Sequence, residues 1–129
     1  MIARANKSRA ENNSHNVSFV ESKITDIPLQ SGIADCIISN CVINLVPAEE
    51  KQLAFNEMFR LLKPGGRLAI SDILLKQALP QNLQSCVALY TGCVAGASQV
   101  AEYEKYLRVA GFHGESTLPN RHECHTFGK

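Results

Sequence analysis

Five cysteines carry most of the potential chemistry of this 129-residue chain: Cys36, Cys41, Cys86, Cys93 and Cys124. Their number is odd, and the opening MIARANKSRAENN lacks the apolar run of a secretory signal. A disulfide framework is therefore not expected, and the thiols are read as reduced. Reduced thiolates are soft ligands for soft centres, although most reduced cysteines are simply small buried apolar groups. No CxxC pair is present, which removes the common closely spaced zinc-ligand pattern. His122, Cys124 and His125 in RHECHTF would alternate faces on a strand and so would not converge on one tetrahedral site. Cys36, in mid-strand, and Cys86, in mid-helix, read as core residues. The stretch ISNCVINLVP is different: it runs from a buried strand towards a helix and places Asn40 and Cys41 at the turn between them.

The elements that must position this turn follow from local pattern. Residues 3–14 read as a polar helix fraying into an Asn-rich loop, and 16–20 (NVSFV) alternates as a short strand. ITDIPLQSG is a loop broken by Pro28 and Gly32. IADCIISN is apolar on both faces, as suits a strand covered on both sides in a parallel sheet. Pro47, Glu49 and Glu50 mark a helix start, and Ala54, Met58, Leu61 and Leu62 recur at helical spacing until KPGG stops the run. RLAISDILL, 67–75, is the next strand. A helix from about Pro80 would share Leu83, Cys86, Val87, Tyr90 and Cys93 on one face. Another, capped by Ser98, would carry Val100, Tyr103, Leu107 and Ala110, with Gly111 as its left-handed stop and Phe112 as the contact after it. One last strand is expected in the tail. Strands and helices in this order predict an α/β sheet with crossover helices, whose ligands bind beyond the carboxyl ends of the strands. That edge holds Ser39, Asn40 and Cys41 together with Ser71 and Asp72. Asp72 either caps the segment that follows it or lines the substrate mouth.

Composition narrows the function classes. The length suits one domain, and 45% hydrophobic with 19% charged residues is ordinary for a folded globular chain. A net charge of +1 makes no electrostatic case for nucleic acid or a charged membrane surface. No apolar run approaches the roughly 20 residues that span a bilayer, so a cytoplasmic protein is expected.

DCIISNCVINLVP, EMFRLLKPGGRLAISDI and YTGCVAGA with YLRVAGF resemble the class I S-adenosylmethionine-dependent methyltransferases, and more narrowly the arsenite methyltransferases. LLKPGG before a strand is general to the class, whereas SNCVINLVP with a later GC cysteine is specific to the arsenite enzymes. The resemblance implies a partial Rossmann-like α/β fold, a parallel-type sheet with flanking helices, and covers nearly the whole chain. The family's first strands and its GxGxG-like cofactor loop have no counterpart here. Residues 1–129 are thus expected to form one N-terminally incomplete methyltransferase domain. In the family, the two strands without counterpart stand between the strand near Phe19 and the strand near Ile37.

The implied reaction is methyl transfer from S-adenosylmethionine to thiol-bound As(III), with impaired activity in this chain alone. Cys41 and Cys93 match the family's two substrate thiolates in this part of the domain. Ile24 matches an apolar residue packing on the adenine ring, and Thr25 stands where many relatives carry an acid that accepts from the adenine amino group. Asn40 matches a residue lining the cofactor; its amide either bonds the cofactor or braces its own turn. The implied partners are arsenite or its thiol conjugates and a small-molecule thiol or thioredoxin-type reductant, with no metal cofactor. Two alternatives stand beside this reading: a class I methyltransferase for another small molecule, in which Cys41 is structural, and a non-catalytic thiol module that binds As(III).

Overall fold

The two runs richest in aliphatic residues pair with each other. In the computed structural model, which describes residues 1–77, 96–113 and 125–129, β1 (Ala34–Asn40) lies parallel to β2 (Leu62–Ser71). Parallel neighbours need a crossover connection, and α2 (Lys51–Leu61) supplies it, following α1 (Ile2–Glu11) in chain order. A third strand, β3 (His125–Gly128), pairs antiparallel with the other side of β2, so the sheet order is β1-β2-β3. The parallel-type sheet expected from the sequence is thus a parallel pair with an antiparallel edge strand.

Pairing also moves the boundaries of β2. It starts at Leu62, opposite Ala34, and the register then jumps to Cys36 opposite Arg67, so that residues 63–66 bulge from the ladder. This bulge is the KPGG turn, with Gly65 at φ 77°, a conformation that costs glycine little. The strand ends at Ser71 rather than Leu75, because β1 ends opposite it at Asn40.

One face of the sheet carries the core. Ile37, Leu68 and Ile70 face α2 and α3 (Val100–Ala110), with Ile43, Phe55, Met58, Tyr103, Leu107 and Phe112 packed among them. Phe55 sits between the two helices, edge-on to Tyr103 at 5.0 Å and stacked on Tyr106 at 5.6 Å between ring centroids. The opposite face of β1 is open among the described residues, with Ile38 78% exposed. The double cover expected for this strand is therefore not seen there, and Cys36, expected in the core, is exposed on β1.

Two further expectations change. Residues 16–20 form no strand: the alternation is present, but no described segment pairs with them, and Val17, Phe19 and Val20 are exposed. A ladder needs a partner as well as a pattern. The cap of α3 is Gln99, which forms a reciprocal capping box with Glu102, while Ser98 is buried against α2 instead. The expected helix from Pro80 lies outside the described residues. α1 forms as expected and buries none of its residues.

The left-handed stop of α3 is as the sequence suggests. Gly111 has φ 104°, and Phe112 N–H returns to the Leu107 carbonyl at 3.0 Å. A methyl group on Gly111 would lie 2.9 Å from the ring of Phe59. Gly111→Ala is expected to lower the unfolding free energy by about 1–3 kcal/mol, through the left-handed penalty and displacement of that ring. Urea denaturation checks this; an unchanged midpoint would contradict it.

Candidate active site

At the carboxyl end of β1 the backbone turns sharply. Cys41 has φ 53°, a left-handed conformation that side chains other than glycine rarely adopt. Its N–H donates to the Ser71 carbonyl at 3.0 Å, carrying the β1–β2 ladder one bond past Asn40. The chain then forms a short 3-10 turn, Ile43–Leu45. Ile43 is fully buried in the core, and buried Asn44 donates from Nδ2 to the Ile73 carbonyl at 2.8 Å. Asn40 and Cys41 remain exposed outside this anchored turn.

Beneath the turn lies a polar cluster that the sequence reading missed. Burial pushes the Asp72 carboxyl up from its ordinary value, while the backbone N–H groups of Cys41, Ile43 and Val42 and the Tyr103 hydroxyl favour its charged form. The Tyr103 hydroxyl lies 3.5 Å from Asp72 Oδ2. Burial pushes the Tyr103 phenol far up, and the neighbouring Asp72 charge adds to this. Lys51, 3% exposed, donates to Ser98 Oγ at 2.9 Å and to the Gly96 carbonyl. Burial lowers the Lys51 value, and the charges of Glu102 and Asp72 oppose that. Among the described residues, Asp72 Oδ1 is buried without a hydrogen-bond partner, beside the turn at Cys41 rather than on the segment that follows Asp72. Lys51 was findable: it stands one helical turn before Ala54 and Phe55, on the face that is buried.

A second cluster holds the Ile24–Thr25 turn. Asp26 N–H donates to the Lys23 carbonyl at 3.1 Å, which puts Ile24 and Thr25 at the corner, both half-buried, with Ile24 packed on the rim of the core. The segment that follows is clamped by α2. Glu57 Oε1 accepts from Ile27 N–H at 2.7 Å. Arg60 donates to the carbonyls of Ile27 at 2.9 Å and Leu29 at 2.8 Å, and to Ser31 Oγ at 3.1 Å. The same guanidinium makes two 2.7 Å bonds to the Glu57 carboxylate. Sequence reasoning placed Arg60 only near the end of a helix.

The structure therefore puts Asn40 and Cys41 side by side at the sheet edge, and fixes Ile24 and Thr25 on a separately clamped turn. Cys93 lies outside the described residues, as do Cys86 and Cys124. An apolar side chain with a hydroxyl beside it, as at Ile24 and Thr25, can take a flat ring with a polar edge, and the exposed amide of Asn40 can bond a polar group. Among the described residues, no group of three His, Cys, Asp or Glu side chains could hold a metal ion. No described helix is long and apolar enough to cross a membrane.

Comparison with known proteins agrees with this architecture. The family described as "Methyltransferase domain" matches residues 1–111, and the chain belongs to that family. It is 40% identical over 119 residues to an arsenite methyltransferase of Halobacterium salinarum, covering 92% of this chain and 30% of that protein. An arsenite methyltransferase of Aquipseudomonas alcaligenes is 41% identical over 100 residues, 75% of this chain and 28% of that protein. Among solved structures, an arsenic(III) S-adenosylmethionine methyltransferase from Chlamydomonas reinhardtii superposes with a TM-score of 0.66 at 28% identity, covering 88% of this chain and 42% of that one. The fold is that of the class I methyltransferases. This chain spans 30% and 28% of the length of those two curated relatives.

Two outcomes follow from the geometry. Arg60 and the Ile27 N–H hold the Glu57 carboxyl below its ordinary value, against the opposing effect of burial. A depressed carboxylate contributes stability that is complete above the ordinary value of 4.5 and is lost as pH falls through the folded-state value. Glu57→Gln is therefore expected to flatten the acid limb of a stability–pH curve measured by urea midpoints; parallel curves would refute this. Cys41→Gly removes an exposed side chain and relieves the left-handed backbone, so it is expected to leave stability unchanged or raise it by up to about 1 kcal/mol. A clear loss of stability would mean that the thiol is a packing element after all.

Proposed function

We propose that this chain carries part of the site of an arsenite methyltransferase, with Cys41 as a thiolate ligand of As(III). The observation that carries this reading is Cys41 itself, exposed and held at φ 53° beside Asn40 at the mouth of β1. A thiol kept only for packing would be buried and would not need a strained backbone. Similarity to arsenite methyltransferases over most of the chain supports the assignment.

Trivalent arsenic is thiophilic and pyramidal, and thiolate ligation extends to it the rule that soft ligands hold soft centres. Cys41 and Cys93 supply two thiolates, with water or a small-molecule thiol as the third ligand. Arsenite or its thiol conjugate is the substrate, a small thiol or thioredoxin-type protein the reductant, and the cytoplasm, where thiols stay reduced, the working compartment. With its sulfur ligands on one side, the arsenic lone pair faces the other, where the methyl donor must lie. S-adenosylmethionine, when bound, supplies an electrophilic methyl group on a sulfonium. Ile24 and Thr25 take its adenine, by apolar contact and by a hydroxyl acceptor, and Asn40 lines it at the strand end. The chain's contribution is alignment of two reactants rather than proton transfer.

A second reading is that the chain alone binds As(III) without forming methylated product. Titration with phenylarsine oxide tests the thiol site. Binding by the wild-type chain is expected to weaken by about tenfold or more in Cys41→Ser and in Cys93→Ser, the loss usual for a removed ligand contact. Unchanged binding in both would sink the arsenic assignment. Calorimetry with S-adenosylmethionine separates the two readings, since affinity in the range of an intact class I enzyme would refute the binding-only one.

A further inference from the structure

The guanidinium of Arg60 uses all of its donors, three of them on a segment that lies 29–33 residues earlier in the chain. Arginine carries five N–H groups in a fixed planar fork. Nε and one N–H of Nη2 go to the Glu57 carboxylate, each at 2.7 Å. The other N–H of Nη2 goes to the Ile27 carbonyl at 2.9 Å. The two of Nη1 go to the Leu29 carbonyl at 2.8 Å and to Ser31 Oγ at 3.1 Å. Glu57 seats the fork and also accepts from Ile27 N–H at 2.7 Å. Both backbone polar groups of Ile27 are therefore held by one ion pair on α2. Beyond them, Gly32 N–H donates to the Arg60 carbonyl at 2.9 Å.

The segment supplies some order of its own, with Asp26 N–H on the Lys23 carbonyl at 3.1 Å and Leu29 N–H on the Ile27 carbonyl at 2.7 Å. Pro28, between them, has no N–H to give. These local bonds shape the turn, and only the bonds to α2 tie it to the rest of the molecule through a charged pair. Without the fork, water can take the place of its donors on the exposed Leu29 and Ser31, so the segment loses order more than the whole chain loses stability. Ordering a loop is part of the cost of association, and a segment already fixed avoids it. Ile27 stands two residues after Thr25, so a grip on its N–H and carbonyl sets where the Ile24–Thr25 corner lies.

We propose that Arg60, seated on Glu57, is a positioning residue for the adenine site: its fork holds the segment after Thr25 and thereby fixes the corner that presents Ile24 and Thr25. This rests on the reading of Ile24 and Thr25 as the adenine contacts. It goes beyond that reading by assigning their placement to a side chain that itself touches no part of the ligand. Arg60→Lys keeps the charge and loses the fork, an exchange that is not conservative where several acceptors are met in one plane.

The test titrates adenosine, and purine riboside, which lacks the amino group, into the full chain with isotope-labelled isoleucine methyl groups. The readouts are the shift of the Ile24 methyl resonance, the affinity ratio of the two nucleosides and the thermal midpoint. Wild type, Arg60→Lys, Thr25→Val and the double variant are compared at a temperature where circular dichroism shows each one folded. Arg60→Lys is expected to weaken adenosine by about tenfold, as removal of a partner behind a ligating group does at metal sites. Purine riboside should weaken less, so the ratio falls towards one, which a loss through general destabilisation would not produce. Thr25→Val should lower the ratio in the same way, and adding Arg60→Lys to it should lower the ratio little further. If Arg60→Lys does not fold, Glu57→Gln, which keeps an oxygen for Ile27 N–H but no charge to seat the fork, takes its place with a loss in the same direction. An unchanged ratio in the folded variant overturns the proposal while leaving Ile24 and Thr25 as adenine contacts. An Ile24 methyl that millimolar adenosine does not shift in wild type, or a ratio insensitive to Thr25→Val, overturns the adenine reading and the proposal with it.

Discussion

Parallel pairing of β1 with β2 is the constraint on which the other features of this molecule depend. Two parallel strands cannot be joined by a tight turn, so the chain between them must leave the sheet, cross one face and return. That demand creates both the turn at Cys41, where the chain leaves, and the α2 crossover that covers the core. Because the ladder runs to Asn40 opposite Ser71, the ends of the two strands coincide. The residues just past those ends, Cys41 and Asp72, are therefore brought to the same edge although they are far apart in sequence.

Helix α2 does more than fill the crossover. Its buried stripe, Ala54, Phe55, Met58 and Leu61, packs into the core, and the polar residues flanking that stripe reach to either side. Lys51 at the first turn joins the cluster beneath the Cys41 turn, and Glu57 with Arg60 near the last turn clamps the segment after Ile24 and Thr25. Buried charges are costly unless they are paired and hydrogen-bonded. The Glu57–Arg60 cluster meets that condition with several partners, and Lys51 with two, whereas among the described residues Asp72 Oδ1 is buried without one.

Much of this was legible along the chain. The apolar run 34–40, the amphipathic segment before KPGG and the Tyr103–Leu107 stripe with its Gly111 stop all fold as their local pattern implies, because period and capping are local properties. The family resemblance was legible too, since the residues that carry it are contiguous. The less legible features were those that require a partner. Residues 16–20 have strand composition and no described neighbour to pair with, and Cys36 lies on the sheet face that α2 does not cover. Arg60 looked like a C-terminal helix residue, and its fork instead serves a loop some thirty residues earlier in the chain.

By itself, then, the sequence determined the α/β class, the order of the principal elements around the site and the presence of a thiol and an amide at the end of the first strand. Those follow from the spacing of apolar residues and from which side chains stand beside a turn. Only the tertiary structure decided that Cys41 is exposed on a left-handed backbone, that Arg60 clamps the segment after Thr25 and that Lys51 is buried. The reason is physical: a charged group finds its hydrogen-bond partners through space, and the partners that Lys51 and Arg60 find are set by strand register and helix packing, quantities that no local pattern contains.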